Sequence, residues 1–171
     1  MGKRVICLLL ALLLLPYICA CQKEAPTIEQ PINFYYHCAN PEEGLATDVI
    51  AAQVVEGAQF DGELIWILNH YVSYTPAEGF VKTFPKNCHV LSLKQYDSYV
   101  DIVMGKEFAE LSGINLTIAA TCIARTVADL TGIRSINLSV SDGLLDGQTI
   151  LTINLDKIVT TDPYQTEPEG R

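Results

Sequence analysis

The sequence predicts an α+β domain in which two helices pack on one face of a mixed, largely antiparallel sheet, and three stretches predict it. Leu116, Ala119, Ala120, Ile123, Val127 and Leu130 recur at spacings of three and four, the apolar stripe of a helix with one covered side. The period then changes to two: Ile136, Leu138 and Val140 alternate with Asn137, Ser139 and Ser141, as in a strand with one buried and one wet face. Upstream, residues 90–95 and 99–103 are strand-like runs separated by Tyr96-Asp97-Ser98, which suits a short hairpin. Helices laid on one face of such a sheet bury both kinds of stripe.

In chain order, Ile32 to Cys38 is rich in strand formers and Asn40-Pro41-Glu42-Glu43-Gly44 is a turn cluster. Asp48 to Val55 reads as a second strand, although its alanines suit a helix equally well. Asp61 or Gly62 can cap a helix with Leu64, Ile65, Leu68 and Val72 on one face and Trp66 and Tyr71 on its flanks. Pro76, Gly79 and Pro85 make residues 72–87 mostly loop. The hairpin follows, with Val100 and Ile102 toward the core and Asp101 outward. Phe108 and Leu111 lead into the helix of residues 112–131, which Gly132 can close in the left-handed conformation with Ile133 as the accompanying apolar contact. Asp142-Gly143 and Asp146-Gly147 mark turns after the strand, and Leu151, Ile153 and Leu155 alternate in a last one.

The chain is 171 residues long and 49% hydrophobic, enough for one domain with a core. Part of that apolar content belongs to the start of the chain. Lys3 and Arg4 precede the apolar run from Val5 to Leu15, and Ile18-Cys19-Ala20-Cys21 ends it with small residues before a cysteine. This pattern resembles a bacterial lipoprotein signal, cut before Cys21, with a diacylglycerol thioether on that cysteine. Two or more acyl chains, at about 0.8 kcal/mol per buried methylene, make a durable anchor, so the reading places the mature protein on the outer face of the cell membrane without crossing it. The expected organisation is a signal peptide over 1–20, a lipidated tether over 21–31, a folded domain over 32–156 and a disordered tail over 157–171.

Removal of residues 1–20 takes away Lys3 and Arg4 and no acidic group, leaving 9 Lys plus Arg against 20 Asp plus Glu and a net charge of −11. Such a surface repels nucleic acid and anionic headgroups, so no nucleic-acid partner is expected. Of six cysteines, Cys7 and Cys19 leave with the signal and Cys21 is the lipidation site, so Cys38, Cys88 and Cys122 remain. At most one disulfide can form among three. Cys122 reads as a small buried hydrophobe of the helix, while a Cys38–Cys88 bridge stays open because sequence cannot test its geometry.

Several stretches together resemble the GerMN domain of sporulation and germination lipoproteins. They are Leu64-Ile65-Trp66-Ile67-Leu68, Gly79 through Asn87, Val90-Leu91-Ser92-Leu93, Tyr99-Val100-Asp101-Ile102 with Glu107-Phe108, and Thr126 through Asn137, in that order over residues 32–143. Where the family carries Gly-Pro after its first helix, this chain has Asn69-His70-Tyr71-Val72. The resemblance implies a non-enzymatic envelope module with one copy of the domain, related to the ring-building motifs of sporulation channel proteins and working by packing against neighbours: other envelope or sporulation proteins, or a second copy.

Nothing in the residues themselves supplies catalytic spacing. Cys88 beside His89 is an adjacent thiol and imidazole, but neighbours in a strand point to opposite faces, so a strand-edge cysteine is the better reading than a nucleophile. His37, His70 and His89 lack the paired spacing of metal ligands, and Asp142, Asp146 and Asp156 read as turn aspartates. Phosphate-cradling glycine loops and the hydrolase elbow do not occur. The expectation is a non-enzyme without metal or cofactor. A substrate-binding lipoprotein for a small ligand or a peptidoglycan fragment is the competing reading, and it would need convergent polar groups. Phe34, Tyr35, Tyr36, Trp66, Tyr71 and Tyr74 serve either as core or as an aromatic contact surface. The wet side of the central unit, Arg125, Asp129, Asn137 and Ser139, is the candidate interaction surface.

Overall fold

The computed structural model describes residues 31–39, 49–57 and 63–157. The expectations for the signal, Cys21, the turn cluster at 40–44 and the tail from residue 158 lie outside them. The elements run β1 (Ile32–Cys38), β2 (Ile50–Val55), α1 (Leu64–Ser73), β3 (Phe80–Val81), β4 (Val90–Gln95), β5 (Val100–Met104), a 3-10 helix (Lys106–Glu110), α2 (Gly113–Thr131), β6 (Ser135–Val140) and β7 (Leu151–Asn154). The class is α+β, as the periodicities require. The strands divide between two sheets, β2-β1-β3 and β4-β5-β6-β7. All pairings are antiparallel except β5 with β6, which α2 joins as a parallel crossover.

The four-stranded sheet is built as its alternation dictates. Val100, Ile102 and Met104 of β5 stand directly across from Ile136, Leu138 and Val140 of β6, and all but the half-buried Val140 are sealed in the core. The opposite face carries Asp101, Asn137 and Thr152 in register. α2 ends at Gly132, whose φ of 76° is the left-handed cap expected, with its N–H on Ala128 O at 2.8 Å.

Two local expectations need correction, and the mostly-loop reading of residues 72–87 gains one short strand. α1 begins after Glu63 with no side-chain cap, and the proposed caps Asp61 and Gly62 lie outside the described residues. Its buried face is Ile67, Leu68, Tyr71 and Val72, rotated from the anticipated Leu64, Ile65, Leu68 and Val72. The cause is aromatic. Tyr71 packs its ring 4.8 Å from Phe34, 5.2 Å from Tyr36 and 5.0 Å from Phe84, and these contacts outweigh those that Leu64 and Ile65 could make. Trp66 is left 68% exposed. The stretch expected as loop also holds β3, which pairs with His37 and Cys38.

α2 is buried on more than its stripe. Ala119 through Ala124 are all buried, and so are Thr126 and Val127. β6 and β7 cover one side while β1 runs close along another, and the run of Ala, Thr and Cys side chains is small enough to let β1 approach. Opposite β2, β1 keeps an edge that β3 pairs only at His37 and Cys38. Helical side chains close the rest: Tyr35 N–H donates to Thr126 Oγ1 at 3.2 Å, and the Tyr71 hydroxyl donates to Tyr35 O. His37 N–H is taken by Thr83 Oγ1 at 3.2 Å. A strand edge that would otherwise expose backbone groups, or bury them unpaired, is thereby satisfied inside the core.

Candidate functional site

The four residues anticipated as one wet surface fall into two places. Arg125 and Asp129 reach from α2 onto the first sheet. The Arg125 guanidinium donates to Ile50 O at 3.3 Å and lies 5.8 Å from the centre of the Tyr35 ring. Asp129 accepts from Asn33 Nδ2 at 2.9 Å and from the Tyr35 hydroxyl at 3.0 Å. Burial, then the hydrogen bond to Asp129, pushes the Tyr35 phenol up from its ordinary value. Beside this cluster, Val54 of β2 stands opposite Asn33 and is 66% exposed. An aromatic ring, an apolar side chain and a fixed pair of opposite charges are thus held together on rigid elements. Sequence reasoning named Tyr35 only as one of six aromatic residues and missed Asn33 and Val54: Asn33 and Tyr35 meet Asp129 across more than ninety residues of chain, and Val54 joins them through its pairing with Asn33.

Asn137 and Ser139 belong to the outer face of the four-stranded sheet. Asn137 Nδ2 donates to Asp101 Oδ1 at 2.9 Å, and Thr152 Oγ1 donates to Asn137 Oδ1 at 2.8 Å. This ladder crosses β5, β6 and β7 and fixes which way the Asn137 amide points. Ser139 lies two residues further along the same face, half-buried.

No disulfide joins Cys38, Cys88 and Cys122, and each thiol is buried. Burial, then the carboxylates of Glu107 and Glu110, pushes Cys88 up to about 12; burial likewise pushes Cys122 up to about 12. Such thiols stay protonated at neutral pH and are poor nucleophiles. His89 is exposed and turns its Nδ1 to Asn87 O at 2.9 Å, with Glu107 Oε2 at 3.7 Å. A Cβ on Gly105 would meet His89 Cε1 at 2.6 Å, so glycine lets the ring lie there.

The raised thiols carry a pH consequence. In the unfolded chain they titrate near 9.0, so the stability they contribute is whole below pH 9 and is lost as pH rises through 12. Tyr71, raised well above 10.0 by burial, adds to the loss from pH 10 upward. Urea midpoints are expected to fall from pH 8 to pH 11. A Cys88→Ala, Cys122→Ala double variant should lose most of the fall between pH 9 and 10 and part of that above pH 10, where Tyr71 still contributes; an unchanged profile would contradict this origin.

No protein-family model matches the chain, and no curated protein matches it by sequence. Solved structures do match. The tandem GerMN domains of the sporulation protein GerM from Bacillus subtilis align with a TM-score of 0.54 at 14% identity, over 75% of this chain and 46% of that one. The fold is that of a GerMN domain. A lipoprotein from Clostridium perfringens aligns more loosely, with a TM-score of 0.44 at 18% identity, over 77% of this chain and 93% of that one. This chain therefore spans about half the length of the tandem GerMN structure. The stretch Asn69-His70-Tyr71-Val72 lies inside α1, and Asn69 ties the helix to β4. Its amide pairs with the main chain of Val90, accepting from Val90 N at 2.8 Å and donating to Val90 O at 3.0 Å.

Proposed function

We propose that this protein is exported, anchored to the outer face of the cell membrane through lipid on Cys21, and acts there as a non-catalytic protein-contact module in sporulation or germination. The observation that carries the reading is the GerMN fold, shared with a sporulation protein built of two such domains. The chemistry agrees with it: the three described thiols are buried, Cys88 and Cys122 are held protonated at neutral pH, and His89 turns its Nδ1 to Asn87 O and not to Cys88. The contact surface in this reading is the cluster around Arg125 and Asp129, where Tyr35 and the exposed Val54 supply the apolar and aromatic area that protein interfaces favour at their centres. Its partner is another envelope protein or a second copy of the chain.

Metabolic labelling with a fatty acid tests the anchor. Wild type should take up label and Cys21→Ser should take up essentially none; equal labelling of the two would remove the anchor from the reading. A photo-crosslinking residue at Val54 tests the contact in intact cells, where discrete adducts are expected and their absence would count against this surface.

A further inference from the structure

The outer face of the four-stranded sheet has a chemistry unlike that of the Arg125 cluster. In register across the strands lie Lys94, Asp101, Asn137 and Thr152, one from each of β4, β5, β6 and β7. The two rungs from Asp101 through Asn137 to Thr152 are hydrogen-bonded as described, so the row presents an ammonium donor, a carboxylate acceptor, an amide N–H and a hydroxyl oxygen at the interstrand spacing of about 4.8 Å. At the hairpin end, two residues along from Lys94 and Asp101 and on the same face, Tyr96 and Tyr99 stack at 4.6 Å with their planes 21° apart. The Lys94 ammonium sits 4.9 Å from the Tyr96 ring centre. Both helices pack against the other face, and among the described residues these outer side chains are exposed or half-buried.

Three features narrow what this face could hold. Its one cation stands opposite its one central anion, so the row has no net charge, while the acidic molecule as a whole repels anionic polymers. Its only apolar side chain on the strands β5 and β6 is Val103, too little for the apolar centre of a protein interface. Alternating donors and acceptors on a flat surface, ending in aromatic rings, complement a polymer whose groups are both donor and acceptor and whose sugar rings have apolar C–H faces. The strand spacing is also close to the rise per residue of an extended β-1,4-linked glycan. We propose that this face binds an uncharged or N-acetylated β-1,4 polysaccharide laid across the four strands, with the Tyr96–Tyr99 stack at one end of the binding row. The site is separate from the Arg125 surface, and neither proposal depends on the other.

The test uses the full-length chain in detergent, with chitin beads and the β-1,4 hexamer of N-acetylglucosamine as probes. Wild type should be retained on chitin and released by the hexamer. Asn137→Leu breaks the ladder and Ser139→Trp places bulk on the flat face; each should weaken retention about tenfold. Trp66→Ala, on α1, should bind as wild type. Ser139→Trp decides the matter if Asn137→Leu does not fold, since the Ser139 side chain, unlike its main chain, takes no part in the hydrogen bonding of the sheet among the described residues. Failure of wild type to bind chitin, or unchanged retention of folded Ser139→Trp, overturns the assignment. Retention on purified cell-wall sacculi that disappears once those sacculi are treated with protease, with none on chitin, would place a protein on this face and overturn it as well.

Discussion

Replacing Tyr71 by alanine is expected to destabilise the domain by about 3–5 kcal/mol, the usual cost of deleting a large aromatic side chain from a close-packed core. Tyr71 is 0% exposed and lies among Phe34, Tyr36 and Phe84, so no surface residue can relax into the space. It does a second thing as well: its hydroxyl caps the carbonyl of Tyr35 on the open edge of β1. Tyr71→Phe separates the two contributions. It keeps the ring and leaves one carbonyl unsatisfied, which should cost about 1–3 kcal/mol. Urea denaturation at pH 7 reads both from the shift in midpoint. If Tyr71→Phe were as damaging as Tyr71→Ala, the ring packing would not be what holds α1 to β1.

Thr126→Val should cost about 1–3 kcal/mol despite preserving shape almost atom for atom. Thr126 is 0% exposed in the middle of α2, and its Oγ1 receives the N–H of Tyr35 at 3.2 Å. Valine leaves that donor buried without a partner. The substitution would read as conservative or even favourable on a helix judged by hydrophobicity alone, so its sign discriminates. A stabilised Thr126→Val protein, or protection of the Tyr35 amide against hydrogen exchange equal to wild type, would show that the edge of β1 is satisfied some other way. The same experiment bears on association, because an unclosed strand edge is a template for pairing with another chain.

How far the sequence reaches is clearest in α2 and β6. The three-and-four spacing of Leu116, Ala119, Ala120, Ile123 and Val127 and the alternation of Ile136 and Leu138 predict residues that are indeed buried. Gly132 closes the helix as its position suggested. The candidate surface was less legible. Arg125 and Asp129 look like the free side of an amphipathic helix, yet the structure sets them against Ile50, Asn33 and Tyr35. Thr121 and Thr126 carried the signal that was available: hydroxyls inside an otherwise apolar run, which in a helix with one wet side would have faced water.

α1 makes the same point from the other direction. Leu64, Ile65, Leu68 and Val72 form a valid stripe, and so do Ile67, Leu68, Tyr71 and Val72. Spacing alone cannot rank two overlapping faces; the ring partners on β1 and in the loop at Phe84 choose between them.

The chain by itself determines where both helices and the strands other than β2 and β3 fall, which side of β5 and β6 is apolar, and where α2 stops, because those depend on contacts within a few residues and on transfer of apolar groups from water. Tertiary structure alone decides that the strands form two sheets, that α2 is covered from more than one side, and that Asn137 is tied to Asp101 and Thr152 while Asp129 is tied to Tyr35. Those outcomes rest on hydrogen bonds between segments fifteen to ninety-six residues apart, and periodicity records that a face is buried without recording what buries it.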